Sequence, residues 1–365
     1  MTAGVLTGGA PSPGAPSGVP VTLTTIDGVR IEVGCEPGTD VLAAAAQAGY
    51  VLPSLCRKGT CGACYATVDG AHDVGPHSPE ALTAADAAAG GALLCCTFPR
   101  EPMAVALRCE DSRILRGGIP ERGASVVAVE PVSPDGRTLR VRLQLDPDDV
   151  SGTGVEFEPG QFVEVQVPGQ DLRRAYSLAN VANWDGEAEL LVRLQPGGAF
   201  SGWLEREAAP GARLVVHGPQ GAFGLRENGL RPRWFVAGGT GLAPLASMVR
   251  RMAEWGDPQP VRLYLGVNTA PELPDPAALP ELAEALDLLP GAVLDRCVWH
   301  PDDAWTGTAG TPADALARDL AAVPAGQWPD VYACGPPALV DAAAAVCAAA
   351  GVPAEQVHGE KYLPA

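Results

Sequence analysis

Positive charge and aromatic side chains are both scarce in this chain of 365 residues. Lys and Arg number 25 against 43 Asp and Glu, a formal net charge of -18 at pH 7, and Phe, Trp and Tyr together make up 5%. Few cations are left to neutralise phosphates, so a nucleic-acid binder is excluded as a reading, and the acid excess suits a basic protein partner instead. No run approaches the roughly 18 apolar residues that cross a bilayer. The opening stretch, MTAGVLTGGAPSPGAPSGVP, lacks the basic flank and apolar core of a secretory signal. A soluble, cytoplasmic protein with no membrane partner is expected. Histidine is also thin: His72, His77, His217, His300 and His358 are scattered and form no metal or nucleophile–base set.

What is present in number is cysteine, at positions 35, 56, 61, 64, 95, 96, 109, 297, 334 and 347. Without export a disulfide framework is not expected, and any tight cluster points to an internal metal site. Cys56, Cys61 and Cys64 have the spacing C-x4-C-x2-C, and Cys95 follows Cys64 by 31 residues. Thiolates are soft ligands for iron, and one loop can wrap three of them around a cluster while a distant strand end supplies the fourth. Gly59, Gly62 and Ala63 let backbone N–H groups approach the sulfur atoms. A dithiol pair or half of a zinc site would account for Cys61-Gly62-Ala63-Cys64, but neither explains Cys56. Between the neighbours Cys95 and Cys96, spacing hardly chooses. Cys35, Cys109, Cys297 and Cys347 read as small buried hydrophobes.

The chain changes rhythm twice. Residues 1–19, rich in Gly, Pro, Ser and Thr, read as a disordered leader. Next, VTLTTIDGVRIEV alternates around Asp27-Gly28, a hairpin signal, and Thr39 or Asp40 can cap a helix through VLAAAAQAG before the cysteine loop. Residues 111–118 look like a link. Beyond it ASVVAVEP, RTLRVRLQL, QFVEVQV, EAELLVRL and ARLVVHG, with Gly/Pro turns between, predict about six antiparallel strands able to close into a barrel. From Arg233 strands alternate with helices, the pattern of a largely parallel sheet. The expected domains are 20–110, 111–228 and 229–365.

Two sets of motifs fall in the later domains. Arg174-Ala175-Tyr176-Ser177 offers a cation for a phosphate, an aromatic face and a hydroxyl. Gly197-Gly198-Ala199-Phe200-Ser201 is a Gly-rich turn into a helix whose free N–H groups could hold pyrophosphate. Either string alone could be an ordinary turn; together they argue for a flavin. Gly238-Gly239-Thr240-Gly241 follows the strand WFVA and precedes a helix, although it is not the common dinucleotide fingerprint, and Cys334-Gly335-Pro336-Pro337 occupies the same position after DVYA. Gly266-Val267-Asn268-Thr269 supplies no cation for a 2′-phosphate, which favours NADH. Arg296 is the one cation in this half that could rescue NADPH if it points inward.

In this order the motifs SLCRKGTCGACYA, LLCCTFP, RAYSLAN, RWFVAGGTGLAPLASMVRRM, LYLGVNT, CGPP and VHGEKYLP resemble the reductase component of soluble methane monooxygenase and related bacterial multicomponent monooxygenases, within the ferredoxin-NAD(P)+ reductase superfamily. The resemblance covers nearly everything after the leader. It implies a β-grasp plant-type 2Fe–2S ferredoxin domain, a six-stranded antiparallel β-barrel FAD domain and an α/β parallel-sheet NAD domain. It selects Cys95 over Cys96 as the fourth ligand beside Cys56, Cys61 and Cys64. Arg174 would meet FAD phosphate, Tyr176 the isoalloxazine face and Ser177 the region of N5, with Gly198 and Ser201 on the pyrophosphate. Gly239, Thr240 and Gly241 would contact NADH, Cys334 and Gly335 would lie near the nicotinamide, and Tyr362 would stand near the flavin where Phe is commoner. The catalytic set is then Tyr176, Ser177 and Cys334. The implied activity is NADH-dependent electron transfer through FAD and the cluster to a hydroxylase, of diiron type, working with a regulatory protein. The alternatives are the reductase of a phenol hydroxylase or Rieske dioxygenase, a stand-alone NADH:acceptor oxidoreductase, and a non-enzymatic iron–sulfur carrier, which leaves the later motifs idle.

Overall fold

The computed structural model describes residues 18–149, 151–170, 172–227 and 229–362. The leader read at residues 1–19 lies outside the described residues apart from its last two, and Val19 already opens the first strand. One compact unit ends at Gly118 and a second begins at Ile119.

In the first unit the alternation around Asp27 and Gly28 does fold into a hairpin, Val19–Thr24 against Arg30–Cys35, with Val21, Leu23, Ile31 and Val33 buried. Met103–Ala106 joins Val19–Thr24 in parallel, and Tyr65–Asp69 and Gly91–Leu93 extend the sheet on the far side. Asp40 caps the helix Val41–Gln47 by accepting from the Ala43 N–H at 3.0 Å, and Val41, Leu42, Ala44 and Ala45 turn the helix's apolar side inward. A mixed sheet with a helix packed on it is the expected β-grasp. Residues 111–118, read as a link and grouped with the barrel, instead stay with this unit. Leu115–Arg116 pairs with Tyr50–Val51, Gly117 N–H donates to Gly49 O at 3.0 Å, and Ile114 is buried. A two-residue strand has no periodicity to read, which is why composition alone misplaced it.

The second unit opens with six strands in the order Arg173–Ser177, Phe162–Gln166, Arg213–Gln220, Glu121–Pro131, Thr138–Leu145, Glu187–Arg193, every pairing antiparallel. The two outer strands meet through a Leu178–Leu190 bridge and an Ala179 N–H to Glu189 O bond of 2.8 Å, so the sheet closes on itself. Val126, Val141, Leu143, Val165, Leu190 and Val216 fill the interior.

The remainder is a six-stranded parallel sheet in the order Thr308–Ala309, Val293–Val298, Val261–Val267, Arg233–Gly238, Asp330–Gly335, Val357–Lys361. The apolar runs WFVA, LYLGV and VYAC form its central strands because both faces are covered by helices. Strand order reverses direction between Arg233–Gly238 and Asp330–Gly335. In open α/β sheets a crevice at the carboxyl ends of such a pair is where ligands bind.

Candidate cofactor sites

Leu94–Cys96 is one turn of 3-10 helix, which keeps the two adjacent thiols 3.6 Å from each other but gives each a different second partner. Cys95 Sγ stands 3.4 Å from Cys64 Sγ, whereas Cys96 is buried and donates to Pro76 O at 3.2 Å. A Cβ on Gly59 would come within 2.7 Å of Cys96 Sγ, so this glycine, in a left-handed conformation at φ 72, is needed where the loops press together. Cys56 and Cys61 form a second pair, in which Cys56 N–H and Ala63 N–H both approach Cys61 Sγ at 3.5 Å. Lys58 N–H and Thr60 N–H point at Cys56 Sγ at 3.4 Å. Burial opposes ionising Cys56, but the hydrogen bonds from Thr60 and Lys58 bring its thiol down to about 7. Its bond with Cys64 brings Cys95 down to about 6, while burial and the neighbouring Cys95 push Cys96 up to about 12. Among the described residues no three His, Cys, Asp or Glu side chains have the spacing of a single-ion site. Two thiol pairs lined by backbone donors fit a two-iron cluster, one pair to each iron.

On the barrel, burial alternates along Arg173–Ser177, which leaves Arg174 and Tyr176 half-buried and Ser177 buried. The Tyr176 ring lies 5.4 Å from Phe200, and Phe200 lies 5.7 Å from Trp203, so the helix Ala199–Arg206 braces the tyrosine from behind. Burial holds the Tyr176 phenol well above its usual range and keeps it neutral. Ser201 Oγ accepts from Gln195 N–H at 2.8 Å and so fastens the Gly197-Gly198 turn to the helix it precedes. Beside this turn a cavity of 310 Å³ is lined by Gly197, Gly198, Gly202, Arg137 and Arg206. Backbone N–H groups and two guanidinium groups around an open volume fit a pyrophosphate. Arg137 is a residue that sequence reasoning missed.

At the strand reversal, Gly238-Gly239-Thr240-Gly241 and Cys334-Gly335 touch. A Cβ on Gly241 would fall 2.1 Å from Cys334 O, so a side chain there would force the two loops apart. Gly239 has φ 54 and open space before it. Cys334 is fully buried, and Tyr362, whose N–H donates to Gly335 O at 2.8 Å, lies beside it. Ser177 Oγ is 2.8 Å from Tyr362 Oη. Ser177, Cys334 and Tyr362, three residues singled out in sequence, thus meet where barrel and parallel sheet adjoin. Glu360 is the fourth member and was missed. It pairs with Cys334 across neighbouring strands, and burial pushes its carboxyl up to about 8. An acid beside a lysine near the end of a chain looks solvated; only the parallel pairing reveals where it sits. Arg296 is exposed and lies 5.9 Å over the Trp305 ring.

Three family descriptions match in the order of these sites. "2Fe-2S iron-sulfur cluster binding domain" covers residues 24–100, "Oxidoreductase FAD-binding domain" 123–224 and "Oxidoreductase NAD-binding domain" 235–345. The reductase subunit of an aromatic O-demethylase from Amycolatopsis sp. is 36% identical over 349 residues, spanning 93% of this chain and 98% of that one. The chain belongs to the ferredoxin reductase superfamily, among the reductase components of oxygenases. Methane monooxygenase component C of Methylosinus trichosporium is another member similar to it, 37% identical over 75% of this chain and 79% of its own. A crystal structure of an Amycolatopsis cytochrome P450 reductase superposes with a TM-score of 0.70 at 34% identity, covering 94% of this chain and 99% of that one. As a member of this superfamily the chain is an oxidoreductase that uses FAD, NAD and a 2Fe–2S cluster. No helix among the described residues is long and apolar enough to cross a membrane.

Proposed function

We propose that this chain oxidises NADH and delivers single electrons to the hydroxylase component of a multicomponent monooxygenase. The meeting of Ser177, Cys334 and Tyr362 carries this reading, because it sets the Arg174-to-Ser177 strand of the barrel against the two nucleotide loops of the parallel sheet. Bound FAD supplies the conversion between a two-electron donor and a one-electron acceptor. The chain's own part is to hold and shield. Arg174, Gly198 and Ser201 would hold FAD phosphates, Tyr176 would present its ring face to the isoalloxazine, and Ser177 would address the N5 edge. Gly239, Thr240, Gly241 and Gly335 would let NADH phosphates and nicotinamide approach the backbone. Cys334 and Tyr362 close the junction to water. Cys56, Cys61, Cys64 and Cys95 would hold the cluster, a choice supported by the lowered Cys95 and the protonated, inward-bonded Cys96.

In this reading the cluster domain runs to Gly118, the FAD barrel from 119 to 228 and the NADH domain from 229 to 365. NADH is a cytoplasmic reductant, which places the reaction in the cytoplasm. A diiron hydroxylase working with a small regulatory protein is the acceptor that the order of motifs supports. A haem monooxygenase is the second reading, favoured by the aromatic O-demethylase subunit at 36% identity over 93% of this chain and by the cytochrome P450 reductase structure.

The purified protein should contain about two iron atoms and two acid-labile sulfides, with FAD bound in equal amount to the chain. Cys56→Ser, Cys61→Ser, Cys64→Ser and Cys95→Ser should each lose the cluster, and Cys96→Ser should keep it. Iron analysis and the visible spectrum decide: a cluster that survives in Cys95→Ser and vanishes in Cys96→Ser reverses the ligand choice, and wild-type protein reconstituted with iron and sulfide that still holds none ends the functional reading.

A further inference from the structure

Between Leu52 and Val68 the sequence carries two cations, Arg57 and Lys58, and no acid. Lys58 is one of only two lysines in the chain, the other being Lys361. Both members of the doublet are exposed. Cys61 and Cys64 are buried at 7% and 5% exposure, but Cys56 and Cys95 are half-buried, so the thiol set is not sealed from solvent, and the exposed doublet directly follows Cys56. Two bonds fix it there, Lys58 N–H and Thr60 N–H to Cys56 Sγ, each 3.4 Å. Arg57 has φ 51, the single non-glycine residue with positive φ among the described residues, a conformation that L side chains adopt only at a cost. Neither side chain has a hydrogen-bond or ion-pair partner among the described residues. An exposed Arg-Lys pair is ordinarily a solvated surface feature. Here 43 acids are present against 25 bases, yet two adjacent cations stay uncommitted at the rim of the thiol set.

We propose that Arg57 and Lys58 form an electropositive lip over the cluster site that receives an acidic patch of the oxygenase component. The docking charge would then be opposite in sign to the net charge of the chain, and the basic partner suggested by composition gives way to an acidic one. Because field near a redox centre falls off within a Debye length, a local pair of cations can outweigh a more distant acid excess at contact range. Complementary charge of this kind acts on encounter rate and orientation. The inference rests on the cluster reading given above.

The test uses the full-length holoprotein, reduced under anaerobic conditions and mixed with ferricyanide, a trivalent anion, or hexaamminecobalt(III), a trivalent cation. Re-oxidation is followed at the cluster's own visible absorption, so that direct reaction at the flavin is not counted. Lowering ionic strength from about 200 mM to about 10 mM lengthens the screening distance roughly fourfold. Ferricyanide should then react at least about threefold faster and the cobalt complex slower. Arg57→Gln/Lys58→Gln should abolish or invert both trends, and Lys58→Gln alone should give an intermediate slope. Ferricyanide slowed and the cobalt complex accelerated at low salt in wild type would overturn the proposal, as would slopes unchanged in the double variant. Should the double variant lose iron, the wild-type slopes and the single variant still decide. Iron content and the rate of FAD reduction by NADH separate this outcome from failure of the functional reading: wild type without a cluster refutes the latter, whereas an intact cluster with the wrong salt slope refutes only the lip.

Discussion

Glu360 pairs with Cys334 in the parallel sheet, and burial raises its carboxyl from an ordinary 4.5 to about 8. Between those two values the folded chain binds a proton that the unfolded chain releases. The stability linked to this group is therefore complete below pH 4.5 and is lost as pH rises through 8. Glu360→Gln removes the titration, so thermal melts of the holoprotein should show wild type losing at least about 2 kcal/mol relative to the variant between pH 5 and pH 8. Parallel pH profiles would mean that water reaches the carboxyl. Asn268 governs a second expectation. Trp299 N–H and His300 N–H donate to Val267 O and Asn268 O at 3.0 and 2.8 Å, which orders the loop, and Arg296 lies 5.9 Å over the Trp305 ring. No guanidinium or ammonium belongs to the loop, and a 2′-phosphate left without one is costly to desolvate. kcat/KM should favour NADH over NADPH by at least about tenfold, and Asn268→Arg should narrow the gap; a wild-type ratio near one contradicts the assignment. The loop's lack of charge is legible in sequence. The direction of Arg296 is not, because an extended strand offers two faces and only the packing of Trp305 selects one.

Elements that repeat a pattern are the ones the sequence reveals. Leu242–Trp255 and Pro337–Ala350 are apolar helices that stop at Gly256 and Gly351, both left-handed with φ 62 and 86, and the central strands are continuous apolar runs. Val357–Lys361 escapes notice because VHGEK neither alternates nor forms an apolar run, and its place comes from pairing with Asp330–Gly335. Thr308–Ala309 is too short to have a pattern at all. Equally hidden is the contact between barrel and α/β half. Arg140 on the barrel strand Thr138–Leu145 donates to Glu189 at 2.6 Å and to Glu281, on the helix Pro280–Leu288, at 2.7 Å. Arg250 adds a longer bond to Glu189, 3.4 Å. Arg140 and Glu189 are both buried, so Arg140→Ala strands a carboxylate with one distant partner. Breaking a buried pair in this way costs about 3 kcal/mol, and urea unfolding monitored by flavin release should show it. A loss below about 1 kcal/mol would mean that Arg250 or solvent replaces the missing guanidinium.

At the scale of the whole chain, the 2Fe-2S domain match ends at residue 100 and the FAD- and NAD-binding matches begin at 123 and 235, so the boundary between the two units at Gly118 also separates two kinds of chemistry. A fragment cut at Ala124, where the apolar run starts, would begin too late. The strand Glu121–Pro131 begins earlier, and Glu121, Arg122 and Gly123 pair with His217, Val216 and Val215. Removing those residues would expose a barrel edge, a liability for aggregation as well as for flavin binding. A fragment of residues 119–365 keeps the closed barrel, the strand reversal and the Ser177–Tyr362 contact intact. It should therefore fold, retain FAD and reduce ferricyanide with NADH at close to the full-length kcat. It should contain no iron and should fail to reduce the oxygenase component. The decisive comparison is the rate of flavin reduction by NADH in the two proteins, measured by rapid mixing. If the fragment is folded and loaded with FAD yet accepts hydride more than about tenfold slower, a barrier higher by about 1.4 kcal/mol, the first unit shapes the hydride site as well as relaying electrons.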